Sequence, residues 1–496
     1  MEDYGSSGLY LSGTKNENSN NWNFNVSSKI VNASGQDVTV EAEIILRYPK
    51  RADMTWMDNS YDLSGTAAFA IGSEENPLRF DPDDMYETFE TDAEYIVEKR
   101  TIPLTIKANE AASISEDINV VNPKLWNGVY SPYRYIAEIN IKVNNVVVDN
   151  VKEFYGFRYF EVNEKGFFLN GEKYQLNGAN KHQDFGGVDE NGDMIGYATT
   201  DREKYVDLCI AYEMGTTYLR LVHYPHDKAI FDMCDAYGIV ASGELALGGT
   251  IGRSTTADTN DPVTVEFFEN VKLQLTELVK QLHNNPSVIV WGLQNEMSSK
   301  YYDTMVYYMR ELNELAHDLD GNHRYTTQAI CDENTLGWET DLICWNTYPN
   351  WYFNFSYMEK ITELYDDLLN DPRYTNYLGL GISEYGAGAN VLHHSEVLER
   401  PSTGGQWHPE EWSNYVHEDA LLALENIDYL WENSPWQLFD SVSAGRNEGD
   451  LPGINDKGLV NYERTIKKDV FYLYKANYSD FPFVYIAEKR NNPRMI

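Results

Sequence analysis

The sequence predicts an N-terminal immunoglobulin-like β-sandwich followed by a (β/α)8 barrel. Three observations carry this. The first 150 or so residues alternate apolar and polar with period two. After Phe157 strand-length apolar runs alternate with helical periods, the mark of a parallel sheet. Eight such runs fall within about 310 residues, which suits eight strand–helix units closed into a barrel.

In the first part, Val38, Val40, Ala42 and Ile44 alternate with Thr39, Glu41 and Glu43. Ala137, Ile139, Ile141 and Val143 alternate with Glu138, Asn140 and Lys142. One apolar face per strand fits a half-buried antiparallel sheet, and two such sheets make a small sandwich. Ala33-Ser34-Gly35 and Asn144-Asn145 supply turns. Between the strands, about residues 50–95, lies an acidic stretch containing Asp81-Pro82-Asp83-Asp84. That charge density is expected on a long surface insertion, because it cannot be buried. The expected domains are 1–157, 158–478 and a tail, 479–496. In the tail Phe483-Val484-Tyr485-Ile486 reads as the start of a further β-domain.

The barrel strands are expected at 174–180, 216–223, 239–246, 286–295, 325–331, 341–347, 377–383 and 435–440. Between them, 201–214, 263–283 and 301–319 carry apolar residues at i, i+3, i+4 and i+7. A doubly wound sheet is the rival, but no glycine-rich phosphate loop opens the first helix.

Composition limits the partners. Asp and Glu number 78 against 39 Lys and Arg, a formal charge of −39. That field repels nucleic-acid phosphates and anionic membranes, so neither partner is expected. No run of 18 apolar residues occurs. Cys209, Cys234, Cys331 and Cys344 match no zinc spacing and read as buried thiols. No basic region precedes an apolar one at the N-terminus, so no signal peptide is expected; the compartment would be cytoplasmic if the chain is complete. No cofactor is required by the sequence. A structural or activating divalent cation and a homo-oligomer stay open.

Barrel enzymes carry their chemistry at the C-terminal ends of strands. Those ends offer Asn180 and His182, Arg220, His223 and Tyr224, Glu244, Asn295 and Glu296, Asn346 and Tyr348, Glu384, and Trp436 with Asp440. Glu296 and Glu384 stand 88 residues apart, about three strand–helix units, on strands four and seven. Two facing carboxylates about 5 Å apart are what a retaining glycosidase needs. Aromatic rings among polar groups suit a sugar. A carbohydrate partner is expected. A non-catalytic carbohydrate-binding relative is the rival of another class.

These segments resemble glycoside hydrolase family 2. The likeness runs through Gly156-Phe157-Arg158-Tyr159-Phe160, Gly178-Ala179-Asn180-Lys181-His182-Gln183-Asp184, His223-Tyr224-Pro225, Trp291-Gly292-Leu293-Gln294-Asn295-Glu296, Ser383-Glu384-Tyr385-Gly386-Ala387 and Asn455-Asp456-Lys457-Gly458-Leu459-Val460. It implies a retaining mechanism, with Glu296 as acid/base and Glu384 as nucleophile. It implies that Asn295 binds the C2 hydroxyl and Tyr348 hydrogen-bonds Glu384. His182, His223 and His394 are implied as neighbours of the sugar or nucleophile, and Trp407 and Trp436 as stacking platforms. Arg220 either orients the nucleophile or fills the barrel interior. Asn180 and Asn346 are counted with the substrate contacts. Departures occur at Ala179 and at Ser242-Gly243-Glu244-Leu245. Segments 180–184 and 383–395 resemble bacterial β-galactosidases, so β-galactosides are the favoured substrates. Asn455 and Lys457 have the Asn-x-Lys spacing with which glucuronidases hold a sugar carboxylate, so β-glucuronides are the alternative.

Overall fold

The computed structural model describes residues 3–49, 95–188, 194–249, 256–297, 299–331, 340–425, 427–480 and 482–487. The acidic stretch expected at 50–95 falls almost wholly outside these residues.

The first body has two antiparallel sheets. One joins β1 (Leu9–Lys15), β2 (Trp22–Val31) and β5 (Ala111–Val120). The other has the order β4 (Ile96–Ile106), β3 (Val38–Arg47), β6 (Tyr135–Val143), β7 (Val146–Tyr155). Their inward residues, among them Trp22, Phe24, Ile44, Ile139 and Phe157, form one core. Burying five such side chains contributes roughly 8–15 kcal/mol before chain entropy is subtracted.

The second body is a parallel sheet of seven strands in sequential order. These are β8 (Gly178–Lys181), β9 (Tyr218–Leu221), β10 (Val240–Glu244), β11 (Val288–Asn295), β12 (Tyr325–Ile330), β13 (Leu342–Asn346) and β14 (Gly379–Glu384). The expected eighth strand at 435–440 is not a regular strand. The gap between β14 and β8 is closed by residues 431–438. Ser434 N–H donates to Ile382 O at 2.9 Å, Gly178 N–H to Asn433 O at 3.2 Å, and Leu438 N–H to Asn180 O at 2.9 Å. Pro435 has no N–H, so a continuous ladder cannot form there.

Helices α1 (Asp201–Met214), α2 (Lys228–Tyr237), α3 (Pro262–Gln281), α4 (Tyr302–Leu319), α5 (Tyr357–Asn370), α6 (Glu410–Leu424) and α7 (Asp469–Tyr478) surround the sheet. α1 shows how local chemistry sets the bounds. Thr200 and Glu203 form a capping box at its start, and Gly215 at φ 89° ends it. The sandwich docks on the bottom of the barrel. Trp126 donates its indole N–H to Asp235 O at 2.9 Å, and Arg158 reaches Val288 O at 2.7 Å. The opposite face, where the strands end, is therefore left for chemistry.

Two expectations need correction. Cys331 is exposed, whereas Cys209, Cys234 and Cys344 are buried, because Cys331 lies just past the end of β12. Residues 483–486 form no strand; Tyr485 instead stacks on Tyr472 at 3.7 Å, against α7. Among the described residues no helix is long and apolar enough to cross a membrane.

Candidate active site

β14 ends in Glu384, and Glu296 follows β11 directly. Glu296 adopts φ 51°, a region that costs a non-glycine residue about 1 kcal/mol or more and that clusters at functional sites. Donors from several strand ends converge on Glu384. Tyr348 donates its hydroxyl to Oε2 at 2.7 Å, and Arg220 Nη1 donates to Oε1 at 3.0 Å. His223 Nε2 is 3.6 Å from the same Oε1. Glu296 accepts from Asn346 Nδ2 at 2.8 Å.

Arg220 is the hub of the site. Nη1 also donates to Asn180 Oδ1 at 3.0 Å, and Nη2 to Asn295 Oδ1 at 2.9 Å. Nη2 lies 3.1 Å from Glu244. Burial opposes its charge, but Glu244, Glu384 and Glu432 outweigh burial and raise its pKa. One buried cation thus holds several buried acids, the condition under which buried charges are tolerated.

The two ends of the constellation differ in electrostatics. Burial first, and then the charge of Glu384, push the Glu296 carboxyl above the usual range; Asn346, His223 and Arg220 oppose this. Burial, followed by Glu384, raises Tyr348 well above an ordinary phenol, so it stays a donor. Burial and then His223 keep His182 neutral. Burial would also raise Glu244, but Arg220 and His223 overcome it and hold Glu244 below the usual range. A carboxyl that holds its proton to higher pH than usual, beside a second carboxyl oriented by two donors, suits general acid and nucleophilic chemistry.

The aromatic wall is formed by Trp436, which stacks on His223 at 5.0 Å and meets His182 edge-on at 5.4 Å. His182 Nδ1 pairs with the Tyr224 hydroxyl at 3.1 Å. Asn295 has its oxygen committed to Arg220 and Asn346, which leaves its amide NH2 for a sugar hydroxyl. Asn455 Oδ1 accepts from Lys457 N–H at 3.3 Å and so shapes the turn that presents Lys457. Lys457 is 1% exposed, and its ammonium lies 3.6 Å from Glu448 Oε1, a loose ion pair.

Three expected sugar contacts are placed otherwise. Asn180 is fully buried; its NH2 donates to Ser383, Ser434 and Pro435 carbonyls while its oxygen takes Arg220. It lies beneath the pocket, because every polar atom is already used in closing the barrel. His394 pairs with Glu411 at 3.0 Å on the first turn of α6 and does not join the Arg220 cluster. Trp407 is 52% exposed and stacks on His393 at 4.5 Å. The sequence reading also passed over Ser383, Tyr352 and Glu448. Ser383 donates to Asn346 Oδ1 at 2.6 Å. Tyr352 could have been found from the turn it shares with Tyr348; Ser383 and Glu448 carry no signal of their own. Among the described residues no group of three or more His, Cys, Asp or Glu is placed to hold a metal ion.

Comparison with known families agrees with this geometry. A model described as the glycosyl hydrolases family 2 TIM barrel domain matches residues 160–393, and a second family 2 model matches 79–158. A β-glucuronidase of Bacteroides fragilis is 37% identical over 404 residues, covering 81% of this chain and 55% of its own length. The chain belongs to glycoside hydrolase family 2. It spans about half the length of the β-glucuronidases it matches. A β-galactosidase of Thermoanaerobacter pseudethanolicus is 31% identical over 210 residues, 42% of this chain and 25% of its own length. Among solved structures, a Bacteroides uniformis β-glucuronidase superposes with a TM-score of 0.78 at 25% identity, over 98% of this chain and 52% of its own.

Proposed function

We propose that this protein is a retaining β-glycosidase acting on terminal β-D-glucuronides. Glu296 protonates the glycosidic oxygen while a Glu384 oxygen attacks C1. The C1–O bond to the leaving alcohol breaks, and a glycosyl ester forms on Glu384. The charge of Glu384 is consumed in that ester, so the like-charge effect on Glu296 is lifted. Glu296, now a carboxylate, takes a proton from water. The water oxygen attacks C1, the ester C–O bond breaks, and the Glu384 carboxylate is regenerated. Two displacements return the original anomeric configuration. Arg220 and Tyr348 orient the nucleophile, Asn295 donates to the sugar, and Trp436 with His223 supplies an apolar wall.

The observation that carries the sugar choice is the buried ammonium of Lys457, whose counter-ion Glu448 stands 3.6 Å away and is bound more closely by Arg446. A buried cation so loosely paired is costly unless a further anion joins it. A C6 carboxylate is such an anion; a hydroxymethyl group is not. The sequence reading favoured galactose on segments 180–184 and 383–395. The relatives weigh the other way, since B. fragilis β-glucuronidase matches 81% of the chain and the T. pseudethanolicus β-galactosidase 42%. A further B. uniformis β-glucuronidase, 25% identical, carries a covalently bound cyclophellitol-6-carboxylate aziridine, a carboxylate-bearing sugar mimic.

The experiment is kcat/KM on nitrophenyl β-D-glucuronide and β-D-galactoside. We expect a preference for the glucuronide of at least about tenfold, roughly 1.4 kcal/mol in transition-state binding. A preference for the galactoside would return the assignment to the second reading.

A further inference from the structure

A charged cluster lies one ring away from the Tyr348–Glu384 bond. Tyr352 meets Tyr348 edge-on at 5.1 Å, and Lys457 Nζ is 5.4 Å from the Tyr352 ring. One oxygen of Glu448, Oε1, lies 2.6 Å from Arg446 Nη1 and 3.6 Å from Lys457 Nζ. The first contact is a charge-assisted hydrogen bond; the second is too long to be one. Burial would raise the Tyr352 phenol, but Lys457 and then Arg446 pull it below its ordinary range.

Backbone packing fixes this spacing. Gly449 follows Glu448 at φ 62°, and a Cβ there would stand 2.1 Å from Asp456 Oδ2. Only glycine lets the Glu448 loop approach the Asn455–Lys457 turn so closely. Asp456 is itself held by His408 Nδ1 at 2.6 Å. Glu448 and Lys457 therefore ride on two loops that touch, with Arg446 drawing the Glu448 carboxylate away from Lys457.

The cluster holds two cations and one carboxylate, so a single positive charge is left for a ligand. We propose that Glu448 determines specificity as an exchangeable counter-ion, serving Lys457 when the sugar's C6 group is neutral and yielding Lys457 when that group is a carboxylate. This rests on the glucuronide reading and adds to it a residue that moderates the preference for an anion. A uronate must share the neighbourhood of Lys457 with a like charge. A neutral hexose leaves the Glu448 contact in place.

Two variants should move selectivity in opposite directions. Glu448→Gln keeps shape and removes the competing charge. The ratio of kcat/KM for nitrophenyl glucuronide over galactoside should rise at least about fivefold, mainly through KM for the glucuronide. Arg446→Met releases Glu448 onto Lys457, and the ratio should fall by at least about fivefold. A merely structural role would slow both substrates together and leave the ratio fixed. Unchanged ratios, or changes of the opposite sign, overturn the proposal. Should Glu448→Gln fail to fold, Arg446→Met decides alone. Failure of the glucuronide reading looks different: the wild type prefers galactoside, whichever way the variants shift the ratio.

Discussion

Tyr348 donates to Glu384 Oε2 at 2.7 Å while Arg220 holds Oε1 of the same carboxylate at 3.0 Å. The two donors come from different strand ends, so the carboxylate cannot rotate without losing one of them. Tyr348→Phe removes one charge-assisted bond and keeps the ring. It should lower kcat/KM by about 1.5–3 kcal/mol, roughly 10–150-fold, with little change in melting temperature. Steady-state kinetics beside a thermal melt checks this. Full activity in the Phe variant would mean that the bond does not orient the nucleophile.

Glu296 is raised by burial first and then by Glu384. The sign follows: it keeps its proton to higher pH than an ordinary glutamate. The alkaline limb of kcat/KM should therefore lie above the usual carboxylate range and track Glu296. Glu384→Gln removes the like charge, so Glu296 should titrate lower in that variant, as measured by carboxyl NMR. An unmoved titration would argue against the electrostatic coupling. Glu296→Ala should slow natural glycosides by about 10²–10⁴, with a far smaller loss in glycosylation from dinitrophenyl leaving groups, which need no acid.

Asn180 is expected among the sugar contacts and Arg220 at the nucleophile or in the barrel interior, and the structure separates their effects. Asn180 bonds three carbonyls along the closing segment, so Asn180→Ala should cost about 1–3 kcal/mol of stability from unpaired buried groups. Its KM should stay near that of the wild type. Arg220→Ala strips several buried acids of one cation and should destabilise by about 3–5 kcal/mol. Arg220→Lys should not restore activity, because an ammonium cannot replace the two-armed fork. Denaturant titrations and kinetics on the same preparations would expose an Asn180 variant that is stable yet loses substrate affinity.

Strand positions were legible where a short apolar run ends in polar residues, as in β11, β13 and β14. Glu296 and Glu384 stand at such ends, where barrel enzymes carry their chemistry. The closing segment misled, because Pro435 and Trp436 lie in an apolar run that reads as a strand but cannot pair as one. Asn180 could not be told from a pocket residue: its role depends on carbonyls more than 200 residues away in sequence. His394 and Trp407 were placed by likeness, and their neighbours Glu411 and His393 belong to local turns. Glu448 is one of 78 acids, and only the folded chain brings it within 3.6 Å of Lys457.

Buried histidines set the behaviour in acid. Burial holds His226 and His417 down to about 3 and His283 to about 4. These groups are lowered, so the unfolded chain binds protons that the folded chain refuses. Their share of the stability is full above about pH 6.5 and falls as pH drops towards 4, while Asp235, raised by burial to about 6, and Asp440, raised by burial to about 7, contribute with the opposite sign. Each such histidine costs up to about 1.4 kcal/mol per pH unit in that window. Unfolding free energies at pH 7, 6 and 5, for the wild type and for His226→Gln, test it: the variant should lose less stability on acidification than the wild type, and equal slopes would show that His226 is not buried as a neutral ring.

Lys457 gives the sharpest test of the sugar. Its ammonium is buried, is only loosely paired with Glu448 at 3.6 Å, and lies beside the Tyr352 ring, which meets Tyr348 edge-on. In a glucuronidase the C6 carboxylate would complete its partners, a charge-assisted contact worth about 1.5–3 kcal/mol. In a galactosidase the same ammonium would meet a hydroxymethyl group and contribute less. Lys457→Ala should therefore cut kcat/KM on the nitrophenyl glucuronide by about 10–150-fold and on the galactoside by only a few-fold. Equal losses on both sugars would mean that Lys457 holds the loop rather than the substrate, and the choice of glucuronide would then lose the observation that carries it.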